Sequence, residues 1–147
     1  MAKSFVADIE AFKGRTIKNM RYVAVNAIQD VMEAAQTPQP GVARTGGTFI
    51  EGRIPVVTSE LIESLTSGKG SSAGAKGSLS YTTALAGFQI GDRMSFSWTS
   101  PYALRIEAGF VGTDSLGRTY NQPGRHFVGK NAERFSDFVA ARVKEVQ

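Results

Sequence analysis

Apolar positions in residues 4–36 recur at helical spacing: Phe5, Ile9, Phe12, Met20, Val23, Ala27, Val31 and Ala35, with Thr16 filling one place. Steps of three and four put them on one stripe of an α-helix. Ser4 supplies an N-cap, and Pro38 and Pro40 a stop. Gly14 costs about 1 kcal/mol against alanine and marks a point where the helix can break. Unbroken, the helix would be about 50 Å long at a rise of about 1.5 Å per residue. A compact domain of this size has a radius of gyration of roughly 15 Å. One end must then project or pack on another subunit.

The pattern changes after Pro38. Residues 38–53 carry Gly41, Gly46, Gly47 and Gly52 and read as a loop, with a short extended piece at 48–50. Residues 58–66 predict a short helix, capped by Thr58 or Ser59, with Leu61, Ile62 and Leu65 as its apolar face. Residues 67–80 are rich in Gly, Ser and Ala and predict a flexible coil. Residues 82–99 alternate: Ala84, Ala86, Phe88 and Ile90, then Met94, Phe96 and Trp98. They predict a hairpin turning at Gly91-Asp92-Arg93, with Phe88 opposite Phe96. Residues 110–128 read as a long loop, flexible over 110–125. Ala132, Phe135, Val139, Val143 and Val146 predict a C-terminal helix over 129–146. The expected fold is a single α+β domain spanning 1–147, an antiparallel sheet containing a hairpin packed against a long N-terminal helix and a C-terminal helix.

Composition narrows the function. Hydrophobic residues are 41% of the 147, enough for a core. The absence of cysteine removes disulfides, thiolate catalysis and cysteine metal sites. No apolar run reaches the roughly 20 residues of a membrane span. The start of the chain, with Asp8 and Glu10 in its first turns, does not read as a signal or transit peptide. The net charge of +4 and pI near 9.6 raise nucleic-acid binding as one alternative, but the basic residues are dispersed among 13 acids.

Chemical motifs are sparse. Gly68-Lys69-Gly70-Ser71 lacks the earlier glycine, and the Ser or Thr directly after the lysine, that a phosphate loop needs. His126 is the only histidine and has no ligand-spaced partner. No serine sits in a Gly-x-Ser-x-Gly setting. The chain is therefore expected to be no enzyme and to take no cofactor. Glu107 is an acid in apolar surroundings, expected to cap a backbone or to pair with Arg105, Arg118 or Arg125. Tyr102 and Trp98 are expected to pack in the core rather than stack on bases.

The order of short motifs resembles the neck, or tail-completion, proteins of tailed bacteriophages. Thr37-Pro38 ends the first helix. Pro55-Val56-Val57-Thr58-Ser59-Glu60-Leu61 with Ser64-Leu65 is similar to the family's Pro-Val-Asp-Thr-Gly-x-Leu-x-x-Ser segment. Pro101-Tyr102-Ala103 with Glu107 and Gly109 matches its Pro-Tyr-Ala-x-x-x-Glu-x-Gly segment, and Gln122-Pro123-Gly124 its Gln-x-Pro loop. The chain departs at Val57-Thr58-Ser59, where the family has Asp-Thr-Gly, and in the extra residues 38–54.

The resemblance implies a structural virion protein, assembled in the host cytoplasm into a homo-oligomeric ring at the head–tail junction. DNA would pass through the channel without sequence-specific binding, and the ring would meet neighbouring connector and tail proteins, with no membrane involved. A tail terminator ring capping the tail tube is the alternative within that class. Tyr102, Glu107, Arg105, Arg125, Lys69 and Lys76 are the expected interface residues. Heterologous surfaces, mobile until assembly, suit such a ring.

Overall fold

The computed structural model describes residues 4–40, 49–56, 58–71 and 74–147. Half of the loop expected over 38–53, residues 41–48, lies outside the described residues, as do Val57 and residues 72–73. Helix α1 spans Phe5–Ala35 without a break. Ser4 caps it as expected, its Oγ accepting from the Ala7 amide at 3.1 Å. Gly14 does not break it: nothing lies within 4 Å of where its side chain would be, so no packing force acts there to bend the backbone.

Beyond α1 come strand β1 (Pro38–Pro40), strand β2 (Ile54–Val56) and helix α2 (Glu60–Glu63). Strands β3 (Leu65–Lys69) and β4 (Ala75–Lys76) follow, then helix α3 (Ser80–Ala86) and strand β5 (Met94–Trp98). Helix α4 (Ala103–Ala108) leads into strands β6 (Gly109–Thr113) and β7 (Thr119–Pro123). Helices α5 (Gly129–Ala132) and α6 (Phe135–Lys144) end the chain. The fold is α+β, with a long N-terminal helix and antiparallel pairing in the order β4-β3-β5 and between β6 and β7. The pair β1–β2 is parallel.

Several expectations are corrected. The stretch 67–80 is not a free coil: its described residues form most of β3, all of β4 and the start of α3. Small residues permit this. A side chain at Gly74 would collide with the Ser67 carbonyl, and Ser67 and Ser80 bury a hydroxyl–hydroxyl bond of 2.8 Å. The expected helix over 58–66 shortens to four residues. Ser59 at its start is left-handed, with φ 65°, and makes no side-chain cap. Leu65 then enters β3.

The hairpin expected over 82–99 has only its second arm. The partner of β5 is β3, with Phe96 opposite Ser67 and Trp98 opposite Leu65. The first arm is helix α3, because Tyr81 and Leu85 are the residues that bury, four apart on one helical face. Residues 110–128 are not all loop: β6 and β7 pair in register from Gly109–Pro123 to Thr113–Thr119. The C-terminal helix is split in two around Glu133 and Arg134.

The core joins Met32, Leu65, Tyr81 and Leu85, with Val25, Ile28, Met94, Phe96 and Trp98 packed against it. The face shared by Met94, Phe96 and Trp98 is thus the inner face of β5, as their alternation predicts. Trp98 also meets buried Phe127 edge-on, with ring centroids 5.2 Å apart. Gln36, just past α1, ties three elements together. Its Nε2 donates to the Ile62 and Ser78 carbonyls, both at 3.0 Å, and its Oε1 accepts from Trp98 Nε1 at 2.8 Å. Only the C-terminal half of α1 takes part in this core.

Candidate interaction surface

The N-terminal half of α1 leaves the domain with its apolar stripe uncovered. Phe5 is 79% exposed and Phe12 65%, and Val6, Ile9, Ile17 and Met20 are exposed as well. The spacing Phe5, Ile9, Phe12, Thr16, Asn19, Val23 alternates four and three, the seam of a coiled coil. Along α1 from Thr16 to Ala24 the seam forms one wall of an open apolar groove of about 460 Å³. Phe135, Val139, Val143 and Val146 form the other wall.

A polar clamp fixes that second wall. Arg142 lays Nε and Nη2 on the two carboxylate oxygens of Asp30, at 2.8 and 2.7 Å, a bidentate pair. Its Nη1 also reaches Glu145 Oε1 at 3.2 Å. Glu145 Oε2 accepts from the Tyr22 hydroxyl at 2.6 Å. The Asp30 carboxylate, bonded to Arg142, raises the guanidinium pKa further. The Tyr22 hydroxyl and then Arg142 hold the Glu145 carboxyl below its ordinary range. Because Glu145 meets Tyr22 while Arg142 meets Asp30, α6 runs antiparallel to α1. The apolar spacing of both helices was legible in the sequence; the charged clamp between residues more than a hundred apart was not.

The six expected interface residues separate into several places. Glu107, at the end of α4, pairs with no arginine among the described residues. Its two oxygens accept from the Val128 and Gly129 amides at 2.9 and 2.8 Å, capping the start of α5. The Arg125 and His126 amides bond back to the Ile106 and Glu107 carbonyls. Glu107 therefore holds the 124–129 segment against α4, which is the backbone-capping half of the expectation.

Tyr102 is not core: it is 57% exposed, just before α4. Beside it, Arg105 lies over the Phe110 ring at 4.2 Å, and with Tyr120 these residues line a shallow cleft of about 330 Å³. Arg118 pairs with Asp114 at 2.6 Å across the β6–β7 turn.

Arg125 is buried, 6% exposed. Its Nη1 donates to Gln39 Oε1 at 2.8 Å, its guanidinium stacks 4.5 Å from the Phe49 ring, and its Nε has no partner among the described residues. Burial lowers its pKa. Lys69 bonds to the Gly87 carbonyl at 2.6 Å and to Asp92 at 2.7 Å, so it ties β3 to the segment before β5. Lys76 lines a cleft with Glu60, Glu63 and Pro101.

Among the described residues no group of three or more His, Asp or Glu side chains is placed to hold a metal ion. No helix among them is long and apolar enough to cross a membrane. Comparisons with protein-family models, curated proteins and solved structures returned no match.

Proposed function

We propose that this chain is a structural protein of a tailed-bacteriophage virion, one copy of a homo-oligomeric ring at the head–tail junction through which DNA passes. The uncovered apolar half of α1 carries the assembly part of this proposal. An exposed stripe of Phe5, Ile9 and Phe12 is surface that a monomer gains nothing by displaying, and that a subunit contact would cover. The order of the Pro-Val, Pro-Tyr-Ala and Gln-x-Pro segments supports the virion part. Glu107, the acid of the second of these, acts as a backbone clamp. The net charge of +4 suits a channel that DNA crosses without base-specific contacts. Cryo-electron microscopy of purified particles tests the proposal. Density for this chain in a ring between portal and tail tube is the expected result; particles that lack the chain would overturn it.

A further inference from the structure

We infer that the groove between α1 and α6 is the seat for the first turns of α1 from a second copy of the chain. This deepens the self-assembly part of the reading above and does not depend on its virion part. The stripe at Phe5, Ile9 and Phe12 and the groove beginning at Thr16 are different patches of one molecule, both apolar and both open. Their lengths agree: at about 1.5 Å per residue, Phe5 to Phe12 spans about 11 Å and Thr16 to Ala24 about 12 Å.

The area agrees as well. With aromatic side chains at roughly 150–250 Å² and aliphatic ones somewhat smaller, the exposed fractions of Phe5, Val6, Ile9 and Phe12 leave roughly 450 Å² in water, and Met20 and Phe135 in the groove add roughly 150 Å². A standard protein interface buries about 1,600 Å² in total, of which about 900 Å² is non-polar. A docked helix from a second copy would thus bury about two thirds of the apolar area that a standard interface carries, before the polar rim of both helices is added. A helix laid into an apolar groove is also a recurrent mode of recognition.

The flanking charges point the same way. Asp8 and Glu10 sit among Lys13, Arg15 and Lys18, so the projecting helix is nearly neutral rather than the strongly basic helix that binds anionic lipid. Because stripe meets groove, the contact is heterologous: each copy offers one of each, and copies add head to tail into a ring or a filament.

The cysteine-free chain makes the test direct. Full-length Phe12→Cys and Val143→Cys proteins are mixed in equal amounts, oxidised and run on a non-reducing gel. A mixed disulfide dimer, in excess of either homodimer, is expected. Light scattering on the unmodified chain should show self-association, weakened about 30-fold or more by Phe12→Asp, the loss of one interface anchor. Phe135→Asp, at the groove rim, should do the same with the helical circular dichroism unchanged. Mixing these two variants should restore a contact and stop at a 1:1 dimer, since one intact stripe and one intact groove remain.

A wild-type chain monomeric at about 100 μM, above the micromolar end of the range for standard interfaces, would overturn the inference. So would a disulfide between two copies of the Phe12→Cys protein as the only product, or wild-type binding to anionic phosphatidylserine vesicles with self-association indifferent to Phe12→Asp. If the mixed disulfide forms but particles lack the chain, the virion reading fails and this interface stands. If particles hold the chain in a ring but the mixed disulfide does not form, this interface fails and the virion reading stands.

Discussion

The two halves of α1 have the same kind of sequence and opposite surroundings. From Ala27 to Ala35 the apolar positions are covered: Ala27 and Ala35 are nearly inaccessible, and Met32 packs with Leu65, Tyr81 and Leu85. From Phe5 to Met20 larger side chains repeat at the same spacing and meet water. Helical periodicity therefore says which face is apolar, and not what covers it. In the C-terminal half the cover is β3, β5, α3 and α6. In the N-terminal half no element among the described residues is long enough to reach, because α6 ends near the level of Tyr22. A helix about 46 Å long, at about 1.5 Å per residue, outruns a body of this size.

The strongest way to test the contrast is to cut the core beneath the covered half. Leu65→Ala removes a fully buried side chain that touches the Met32 cluster. It should cost about 2–5 kcal/mol, the range for large-to-small core substitutions. Urea unfolding followed by circular dichroism measures this. A loss below about 1 kcal/mol, typical of surface changes, would mean that the C-terminal half is not where the stability lies.

A second test removes the clamp that closes the covered half. Arg142→Met keeps the apolar stem and leaves the half-buried Asp30 carboxylate without its bidentate partner. The expected loss is about 1–3 kcal/mol, the scale of a hydrogen bond to a charged group. The double variant with Asp30→Asn should lose less than the two singles combined, because the groups share one interaction. Additive losses would show that the pair acts independently and that apolar packing alone holds α6.

How much of this was legible in the sequence depends on the length of each signal. Repeated spacing over the whole of residues 5–35 specifies helix and leaves open only whether it breaks at Gly14, which it does not. Residues 80–90 are too short to choose: Ala84, Ala86 and Phe88 fit a strand, while Tyr81, Leu85 and Phe88 fit a helix. The large residues decide, since an alanine gains little from burial. The Gly/Ser stretch misled because composition reports side-chain burial. Strands β3 and β4 are held by main-chain pairing, with Thr66 opposite Lys76.

Tyr102 misled differently. It precedes a six-residue helix, and its neighbour Pro101 is exposed too, so no sheet face draws it inward. Glu107 was legible as a capping acid, but which amides it caps depends on a fold-back of the chain between α4 and α5 that no local pattern encodes. The groove was half legible, since each wall is a readable stripe and their meeting is tertiary.

A third test addresses the uncovered half. Phe12→Ser should change monomer unfolding by no more than about 0.5 kcal/mol, as for surface substitutions away from caps and partners. It should be measured in dilute protein, where copies are apart. A loss near the Leu65→Ala value would show that the monomer itself covers this stripe and would remove the contrast.

The smallest expected effect concerns pH and the end of the cover. The Tyr22 hydroxyl, and after it Arg142, hold the Glu145 carboxyl below its ordinary value of 4.5. A carboxyl whose folded pKa lies below its unfolded one stabilises the fold above the unfolded value. That stability is lost as pH falls through the folded value. The α1–α6 clamp should therefore be intact at neutral pH and slacken only in acid. Other carboxyls titrate in the same window, so the informative quantity is a difference between proteins. Tyr22→Phe removes the leading cause of the shift and leaves the ring. Its urea midpoint should fall less between pH 7 and pH 3 than the wild-type midpoint does. Equal falls would mean that the Tyr22–Glu145 bond does not help to hold α6 where α1 begins to project.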